Sequence, residues 1–349
     1  MTNKQVIIDN FDKEIEFVEP TRKGQRELKG YEIDLGERGI YNTKNKLNDL
    51  TGKEWTFFIN SVMETDFAKN EEGFELWKYL QTSVIETKYT TSGEDSYAHN
   101  LRKIHPSPKP PQLMRDIIAF FTKKNGWILD PFMGVGGTLL GSSLLENRNA
   151  VGIELESRYI EIYKKVCLQT GLKEQVTIQE DSRNILGIEA VKGKSFDLIL
   201  TDPPYSEMLS KKRTGGDRKD KGAFTIDERD LGNISYNKFF PEFRKIIEKA
   251  TFYLKDKGYL VVFCKDLQPT REHHYLLHAD IVNELTKIQG LYFKGYKIWY
   301  DKTINLYPYG YPFSYVSNQL HQFILIFRKE KMEKKGADKQ TPMKFKESV

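Results

Sequence analysis

Short apolar runs alternate with helical periodicity from residue 127 to residue 327. Runs with the length of buried strands occupy residues 127–129, 150–153, 176–178, 196–200, 259–263, 292–300 and 322–327. Between them, apolar residues at helical spacing predict helices over residues 138–147, 157–169, 184–191, 239–254 and 273–288. This alternation predicts an α/β fold with a mostly parallel sheet that is covered on both faces. The last two strands are expected to be antiparallel neighbours.

The first 100 residues are mixed and polar, and they precede this pattern as an amino-terminal extension. Their apolar patch at residues 54–63 fits a strand or a packing segment. Prolines between residues 106 and 111 force an extended backbone, and Pro111 suits the first turn of a helix predicted over 112–123. We therefore expect three regions: an extension over 1–100, a main domain over 101–330 and a charged tail over 331–349.

Acidic residues follow three successive predicted strands, and a parallel topology brings such loops to one edge of the sheet. After the first strand, glycines let the backbone approach a ligand closely, and the helix that follows favours an anionic group at its start. Glu154 after the second strand can accept hydrogen bonds from ribose hydroxyls, and Asp181 after the third can meet an adenine amino group. The pattern predicts a nucleotide-cofactor site, against the alternative of a tight turn with capping acids. The glycine loop consists of Asp130, Pro131, Phe132, Met133, Gly134, Val135 and Gly136.

The tetrapeptide Asp202-Pro203-Pro204-Tyr205 follows the fourth predicted strand. Prolines fix φ at about −65° and cannot form a ladder hydrogen bond, so the strand ends here and a carbonyl is rigidly aimed. The Asp202 carboxylate and the Pro203 carbonyl can accept the two hydrogens of a planar amine, and the Tyr205 ring can stack on the heterocycle that carries it. A rigid loop start is the alternative. Beside the glycine loop, the tetrapeptide favours chemistry on an amino group of a flat heterocycle.

The glycine loop and the tetrapeptide together resemble the motifs of the amino-directed DNA methyltransferases, the N6-adenine and N4-cytosine enzymes. The loop resembles their S-adenosylmethionine loop, and residues 202–205 resemble their catalytic motif. Residues 105–113 look like the segment that closes over the methionine end of the cofactor in these enzymes. The resemblance covers about residues 100–330. It implies a class I methyltransferase fold: a Rossmann-like, seven-stranded, mostly parallel sheet with an antiparallel edge hairpin.

The resemblance implies methyl transfer from S-adenosylmethionine to N6 of adenine in duplex DNA, after the target base has been flipped out of the helix. Hydrogen bonds to Asp202 and to the Pro203 carbonyl would pull the amine nitrogen toward pyramidal geometry. Orientation and fixed dipoles, rather than a covalent intermediate, would then lower the barrier. The expected catalytic residues are Asp202, Pro203, Pro204 and Tyr205. The expected cofactor-binding residues are Lys109, Pro110, Asp130, Pro131, Phe132, Gly134, Gly136, Glu154 and Asp181.

Other activities stay open at this point. Aspartate in the catalytic motif favours adenine, because N4-cytosine enzymes of this family more often have serine there. RNA guanine-N2 methyltransferases carry a similar tetrapeptide after a similar loop, and a non-catalytic subunit of a DNA-modification assembly could keep the fold. The intact set of acids argues against such a decayed subunit. The segment around the cofactor loop looks like the subgroup in which the catalytic motif comes first in the chain. Here the tetrapeptide instead follows the glycines by about 70 residues. The order of the motifs therefore leaves open which region recognises the target sequence.

Composition and charge narrow the setting of the protein. The chain has 349 residues, a formal net charge of +5 and two cysteines, Cys167 and Cys264. Two cysteines cannot build a disulfide framework, no apolar run reaches the length of a membrane span, and the amino terminus lacks a secretory apolar region. We therefore expect a cytoplasmic protein without a membrane or metal site. A paired restriction enzyme and a homodimer are both open as partners.

Two loops are candidates for contact with nucleic acid. Residues 206–233 interrupt the strand and helix pattern, and their basic residues would bind phosphates in a salt-sensitive way; a solvated flexible loop is the equal alternative. These basic residues are Lys211, Lys212, Arg213, Arg218 and Lys219. The loop between the last two strands either lines the base pocket or packs on the sheet or on residues 1–100; its aromatic residues are Tyr307, Tyr309, Tyr311, Phe313 and Tyr315. His273, His274 and His278 are interpreted as helix surface.

Overall fold

The computed structural model of the chain describes residues 27–45, 50–53, 55, 84–87, 100–205, 225, 227–269, 271, 274–301 and 306–331. The chain divides into two compact units. The smaller unit contains Met1–Lys69, Gln268–Thr270 and Ile304–Leu320. The larger unit contains Asn70–Leu267, Arg271–Thr303 and His321–Val349. Residues from the predicted extension therefore share a unit with the loop that joins the last two strands.

A short hairpin lies in the smaller unit. Strands β1 (Glu32–Asp34) and β2 (Ile40–Asn42) pair in antiparallel fashion. The turn between them contains Gly39, whose φ is 96°. Glycine reaches this conformation without a Cβ clash, so the turn can close at this position.

Two aromatic side chains form the centre of the smaller unit. Trp55 is buried, and its ring packs edge-on against Tyr311 with ring centroids 5.6 Å apart. The indole N–H of Trp55 donates to the carbonyl oxygen of Tyr309 over 3.2 Å. Tyr311 therefore packs against residues of the extension, as one of the two interpretations of the aromatic loop predicts. Phe313 and Tyr315 in the same loop are 76% and 59% exposed.

The larger unit contains an eight-stranded sheet. Its strands are β3 (Val84–Thr87), β4 (Trp127–Asp130), β5 (Asn149–Glu154), β6 (Val176–Gln179), β7 (Phe196–Thr201), β8 (Leu254–Cys264), β9 (Leu291–Asp301) and β10 (His321–Lys329). Their order across the sheet is β3-β9-β10-β8-β7-β4-β5-β6.

The strand directions confirm the predicted seven-stranded, mostly parallel sheet with its antiparallel pair. Strands β4, β5, β6, β7 and β8 run parallel to one another, whereas β10 runs antiparallel to both β8 and β9. The eighth strand, β3, was not predicted; it pairs parallel with β9 and so extends the sheet beyond the hairpin. Residues 84–87 precede the alternating pattern of strands and helices and belong to the region that the sequence assigns to the extension, so no strand is predicted there.

Within the described ranges, the α-helices of the larger unit are α1 (Pro111–Phe121), α2 (Gly137–Ser143), α3 (Ser157–Thr170), α4 (Tyr236–Phe252) and α5 (Leu277–Leu285). None of these helices has the length and apolar content needed to cross a membrane. Helices α2 and α5 are several residues shorter than predicted, and the left-handed φ of 51° at Asn147 and at Tyr275 keeps these two positions of the predicted ranges out of a helix. The helix predicted over 184–191 is a 3-10 helix at Ser182–Gly187.

Each face of the sheet has its own apolar core, since successive residues of a strand point to opposite faces. Leu198 and Leu200 of β7 pack with α1, α2 and α3. Ile199 packs with α4 and α5 on the other face, as does Phe196, which lies before an irregularity in the register of β7. The carboxyl ends of β4, β5, β6 and β7 are left together at one edge of this three-layer structure, and the predicted acids lie at that edge.

Candidate active site

Asp130 connects the ends of two central strands. It is the last residue of β4, it is buried, and its Oδ1 accepts hydrogen bonds from the Phe132 amide (3.0 Å) and the Thr201 hydroxyl at the end of β7 (2.8 Å). Burial raises the pKa of Asp130 to about 6, although hydrogen bonds from Thr138, Phe132 and Thr201 act in the opposite direction. Asp130 thus connects the start of the glycine loop to the end of β7.

Glycine is required at two positions of the loop between β4 and α2. Gly134 has a φ of 48°, and a Cβ there would lie 2.9 Å from Nε2 of His105. Gly136 has a φ of 75°, and a Cβ there would lie 2.3 Å from a ring carbon of Tyr163. Any other residue would strain the backbone and displace a neighbouring ring, so the loop keeps the close backbone path that the sequence predicts.

Glu154 fastens the glycine loop to the end of β5. Its Oε2 accepts a hydrogen bond from the Gly134 amide (2.8 Å), and its Oε1 accepts one from the Glu156 amide (2.9 Å). Burial raises the pKa of Glu154 to about 7, against the lowering effect of both amides. Each carboxylate oxygen keeps a second lone pair, so Glu154 can still accept a hydrogen bond from a ligand.

Asp181 follows β6 and is bonded to Arg183. Its Oδ1 accepts from the Arg183 amide and its Oδ2 from Nη1 of the same residue, each over 2.9 Å. The guanidinium also donates to the carbonyl oxygen of Arg229 over 2.7 Å. This arrangement orients the carboxylate, whose remaining lone pairs are available for an amino group in the cleft.

Both carboxylate oxygens of Asp202 have protein partners. Nζ of Lys109 forms an ion pair with Oδ2, and the Tyr205 hydroxyl donates to Oδ1. Lys109 also contacts the Ser107 hydroxyl (3.3 Å), and the Tyr205 hydroxyl lies 3.1 Å from the Phe263 carbonyl oxygen. Burial, with the adjacent Asp202, raises the pKa of the Tyr205 hydroxyl well above its ordinary value. Lys109, expected at the cofactor, thus directly contacts the expected catalytic carboxylate.

One cleft in the larger unit joins the ends of four strands, with an empty volume of about 600 Å³. Residues of the predicted site that line it are Pro131, Phe132, Gly134, Glu154, Asp181, Asp202 and Pro204. The other predicted site residues lie outside its lining; they are Lys109, Pro110, Asp130, Gly136, Pro203 and Tyr205. Three of the four predicted acids therefore line the cleft: Glu154, Asp181 and Asp202. The fourth, Asp130, lies outside the lining and holds the glycine loop through the Phe132 amide.

Arg102 is a supporting residue that the sequence did not indicate. It is fully buried, and its guanidinium donates to the carbonyl oxygens of Val135 (3.1 Å) and Lys109 (2.8 Å). Burial lowers the pKa of Arg102 to about 9. Arg102 thereby joins the glycine loop to the segment that carries Lys109. An arginine in a polar stretch carries no pattern that would distinguish it from a surface residue.

The interpretation of His278 as helix surface is wrong. Its ring stacks on Phe323 with centroids 4.0 Å apart, and Nδ1 lies 2.7 Å from Oδ2 of Asp266. The amide of His278 also donates to Asp266, because this residue lies at the start of α5. His273 lies outside the described residues, as do the basic candidates Lys211, Lys212, Arg213, Arg218 and Lys219.

The fold and the cleft define a class I methyltransferase: the sheet has the predicted topology, and acids at its carboxyl edge meet a glycine loop. A family model described as DNA methylase matches residues 8–165 and 196–348, which is most of the chain. The chain therefore belongs to this N6/N4 DNA methylase family. The cofactor of the family is S-adenosylmethionine, as the resemblance implies.

The chain is also similar to parts of several characterised proteins. It is 36% identical over 100 residues to the tRNA (guanine(10)-N2)-dimethyltransferase of Pyrococcus abyssi, an alignment that covers 29% of each chain. It is 39% identical over 134 residues to the type II methyltransferase M.HinfI of Haemophilus influenzae, covering 36% of this chain and 37% of that protein. The M.BglI methyltransferase of Bacillus subtilis matches at 32% over 159 residues, or 41% and 45% of the two chains. The chain thus spans less than half the length of each relative.

Among solved structures, TrmN from Thermus thermophilus aligns with a TM-score of 0.43 and 14% sequence identity, covering 66% of this chain and 52% of that chain. NSun6 from Pyrococcus horikoshii aligns with a TM-score of 0.42 and 19% identity, covering 64% and 53%.

Proposed function

We propose that this chain transfers a methyl group from S-adenosylmethionine to N6 of adenine in DNA. The observation that carries the proposal is that Asp202 lines the same cleft as Gly134, Glu154 and Asp181. A carboxylate that can hold an amine therefore lies beside the residues expected to hold the cofactor. Membership of the DNA methylase family and the similarity to type II methyltransferases support DNA as the substrate.

The donors and acceptors of the cleft fit the cofactor. Glu154 and Asp181 offer acceptors suited to the ribose hydroxyls and the adenine amino group, and Gly134 leaves the backbone open to close approach. When bound, the cofactor supplies an electrophilic methyl group on a sulfonium. The segment with Lys109 and Pro110 is held against the glycine loop through Arg102.

Asp202 and the Pro203 carbonyl would accept hydrogen bonds from the two N–H groups of the target amine and so orient its lone pair for attack on the methyl group. The nitrogen would form its bond to the methyl carbon as the carbon–sulfur bond breaks, and it would then lose one proton. Each oxygen of Asp202 keeps one lone pair beyond its bond to Lys109 or Tyr205, so the carboxylate can accept without losing either partner. These two bonds fix the carboxylate before substrate arrives, which is the condition for electrostatic preorganisation. A base stacked in a duplex cannot reach a carboxylate in such a cleft, so the target must be unstacked first.

A labelled-methyl assay on duplex DNA, followed by nucleoside analysis, tests the proposal. We expect label in N6-methyladenine, and Asp202→Asn should reduce the rate by at least about 100-fold because it removes the charge that grips the amine. Glu189→Gln, at an exposed carboxylate, is the matched control and should leave the rate unchanged. Label found only in N4-methylcytosine would move the target to cytosine. Absence of any transfer by the wild-type chain would favour a non-catalytic subunit.

A second candidate function is methylation of a guanine N2 amine in RNA. It is favoured by the similarity to two tRNA (guanine(10)-N2)-dimethyltransferases, from Pyrococcus abyssi at 36% identity and Methanothermobacter thermautotrophicus at 32%. The same grip on an exocyclic amine would serve guanine. Offering tRNA and duplex DNA in parallel separates the two functions, because label in N2-methylguanine of tRNA, with none in DNA, would contradict the DNA proposal.

A further inference from the structure

Asp230 is an acid of the cleft that the catalytic and cofactor motifs leave out. It precedes a 3-10 turn at Leu231–Asn233, which leads into α4, and it lines the same cleft as Glu154 and Asp181. The backbone around it is held in place, since the Asn233 amide side chain donates to the carbonyl oxygens of Thr225 (2.9 Å) and Asp227 (2.8 Å). Asp230 is therefore a fixed part of the cleft wall.

The carboxylate of Asp230 has one satisfied oxygen and one that lacks a partner. The side chain is buried, with 6% exposure, and Oδ1 accepts a hydrogen bond from the Gly232 amide over 2.8 Å. Within the described part of the chain, Oδ2 is buried and has no hydrogen-bond partner. A buried carboxylate oxygen without a donor is costly, so this atom indicates a donor that the cleft receives from a ligand.

The neighbours of Asp230 narrow the kind of donor. Asp230 lines the same cleft as Glu154, whose pKa is raised first by its own burial and to a smaller extent by the charge of Asp230. Burial raises the pKa of Asp230 itself to about 6, while the hydrogen bond from the Gly232 amide, the nearby Thr225 amide and the charge of Arg183 act in the opposite direction. The Thr225 amide makes no hydrogen bond with Oδ2. Two carboxylate acceptors in one cleft can receive two hydroxyl donors, and a ribose diol presents such a pair. Asp181 remains for the adenine amino group.

We propose that Asp230 and Glu154 act as a pair of acceptors for the vicinal ribose hydroxyls of S-adenosylmethionine, with Oδ2 of Asp230 taking one hydroxyl. Each hydroxyl hydrogen would partly neutralise one carboxylate and so relieve the repulsion between them. The proposal concerns the cofactor alone and does not depend on which base is methylated. It can therefore be tested by binding in the absence of nucleic acid, and its failure is distinct from a failure of the methylation assay.

The test is isothermal titration calorimetry of the full chain with S-adenosylhomocysteine. Asp230→Asn keeps the shape of the side chain and an acceptor for Gly232, but it places an amino group where Oδ2 was. We expect binding to weaken by about 10- to 100-fold, the size of a lost hydrogen bond to a charged group. The matched control is Glu228→Gln, which removes the same charge from an exposed neighbour and should leave affinity unchanged.

Analogues of S-adenosylhomocysteine identify the atom that Asp230 contacts. With either the 2′-deoxy or the 3′-deoxy analogue, the difference between wild type and Asp230→Asn should disappear, and it should persist with the analogue that has hypoxanthine in place of adenine. A difference that disappears only with hypoxanthine would assign Asp230 to the adenine amino group and overturn the ribose proposal. A penalty that is equal for all analogues, or equal affinity of Asp230→Asn and wild type, would overturn it as well.

The wild-type chain provides a second measurement that does not depend on the folding of a variant. If both acids hold hydroxyls, the loss of the 2′ hydroxyl and the loss of the 3′ hydroxyl should each weaken binding by about 10-fold or more. Full affinity for either deoxy analogue would contradict the paired arrangement.

Discussion

The ion pair between Lys109 and Asp202 should dominate the stability of the active site. The side chains are 3% and 15% exposed, so both charges are largely removed from water. Asp202→Ala leaves the ammonium of Lys109 with the Ser107 hydroxyl and the face of the Phe263 ring, 5.7 Å away. Breaking a buried pair in this way costs about 3–5 kcal/mol, because the remaining charge stays buried without compensation.

The opposite substitution should cost less. Lys109→Met leaves Asp202 with the Tyr205 hydroxyl and with more access to water, since Asp202 is the more exposed partner. We expect a loss of about 2 kcal/mol from this change. The double variant should then be less destabilised than the sum of the single variants by about 2–3 kcal/mol, because the second substitution removes the charge that the first left behind.

Urea unfolding of the four proteins without cofactor measures this coupling energy. Lys124 and Glu146 form a matched control pair at the surface, with side chains 68% and 79% exposed, and their coupling should stay below about 1 kcal/mol. If the effects of Lys109→Met and Asp202→Ala are additive within about 0.5 kcal/mol, the pair does not exist as described. The result also decides how loss of activity is interpreted, since Asp202→Ala would lose stability and chemistry together, whereas Asp202→Asn keeps the shape.

Three further predictions concern the support of the cleft. Burial raises the pKa of Glu154 to about 7, so the protonated side chain contributes to the free energy of unfolding at pH 4, and this contribution is lost as the pH rises through 7. Glu154→Gln should therefore flatten the dependence of the free energy of unfolding on pH, measured with urea, by up to about 3 kcal/mol. An unchanged pH profile would contradict the raised pKa. Gly136→Ala should cost about 2–4 kcal/mol in thermal unfolding, whereas Gly171→Ala, with a similar φ of 69° and open space around it, should cost only about 1 kcal/mol. Arg102→Met should lower the free energy of unfolding by about 2–4 kcal/mol, because two buried carbonyl oxygens lose their donor; an equal effect of an exposed arginine, such as Arg229→Met, would refute that cause.

The parts of the site that follow directly from local chain order can be predicted from the sequence. The glycine loop and the acids at 154, 181 and 202 each follow an apolar strand, so one parallel topology brings them to a common edge. The family match and the strand order agree with that prediction. The lengths of α2 and α5 differ from the prediction, because the apolar pattern does not mark the residue at which a helix begins or ends.

Contacts between distant parts of the chain were beyond sequence reasoning. Lys109 and Asp202 are 93 positions apart, and nothing in either motif indicates that they pair. Asp230 lies within the segment 206–233, whose basic residues indicate only contact with solvent or phosphates. His278 pairs with Asp266, which is 12 positions away and outside its helix, so nothing in the local sequence indicates the pair. In each case burial and partner choice depend on tertiary packing, which a pattern in one sequence does not encode.

The composition of the smaller unit has a consequence for the engineering of chimaeras. Its Trp55 comes from the first part of the chain and its Tyr311 from the connection between β9 and β10. A hybrid that takes only residues 1–69 from a relative would replace Trp55 and keep Tyr311, so the two sides of this aromatic contact would come from different proteins. Successful exchange therefore calls for transplanting the stretch 304–320 at the same time.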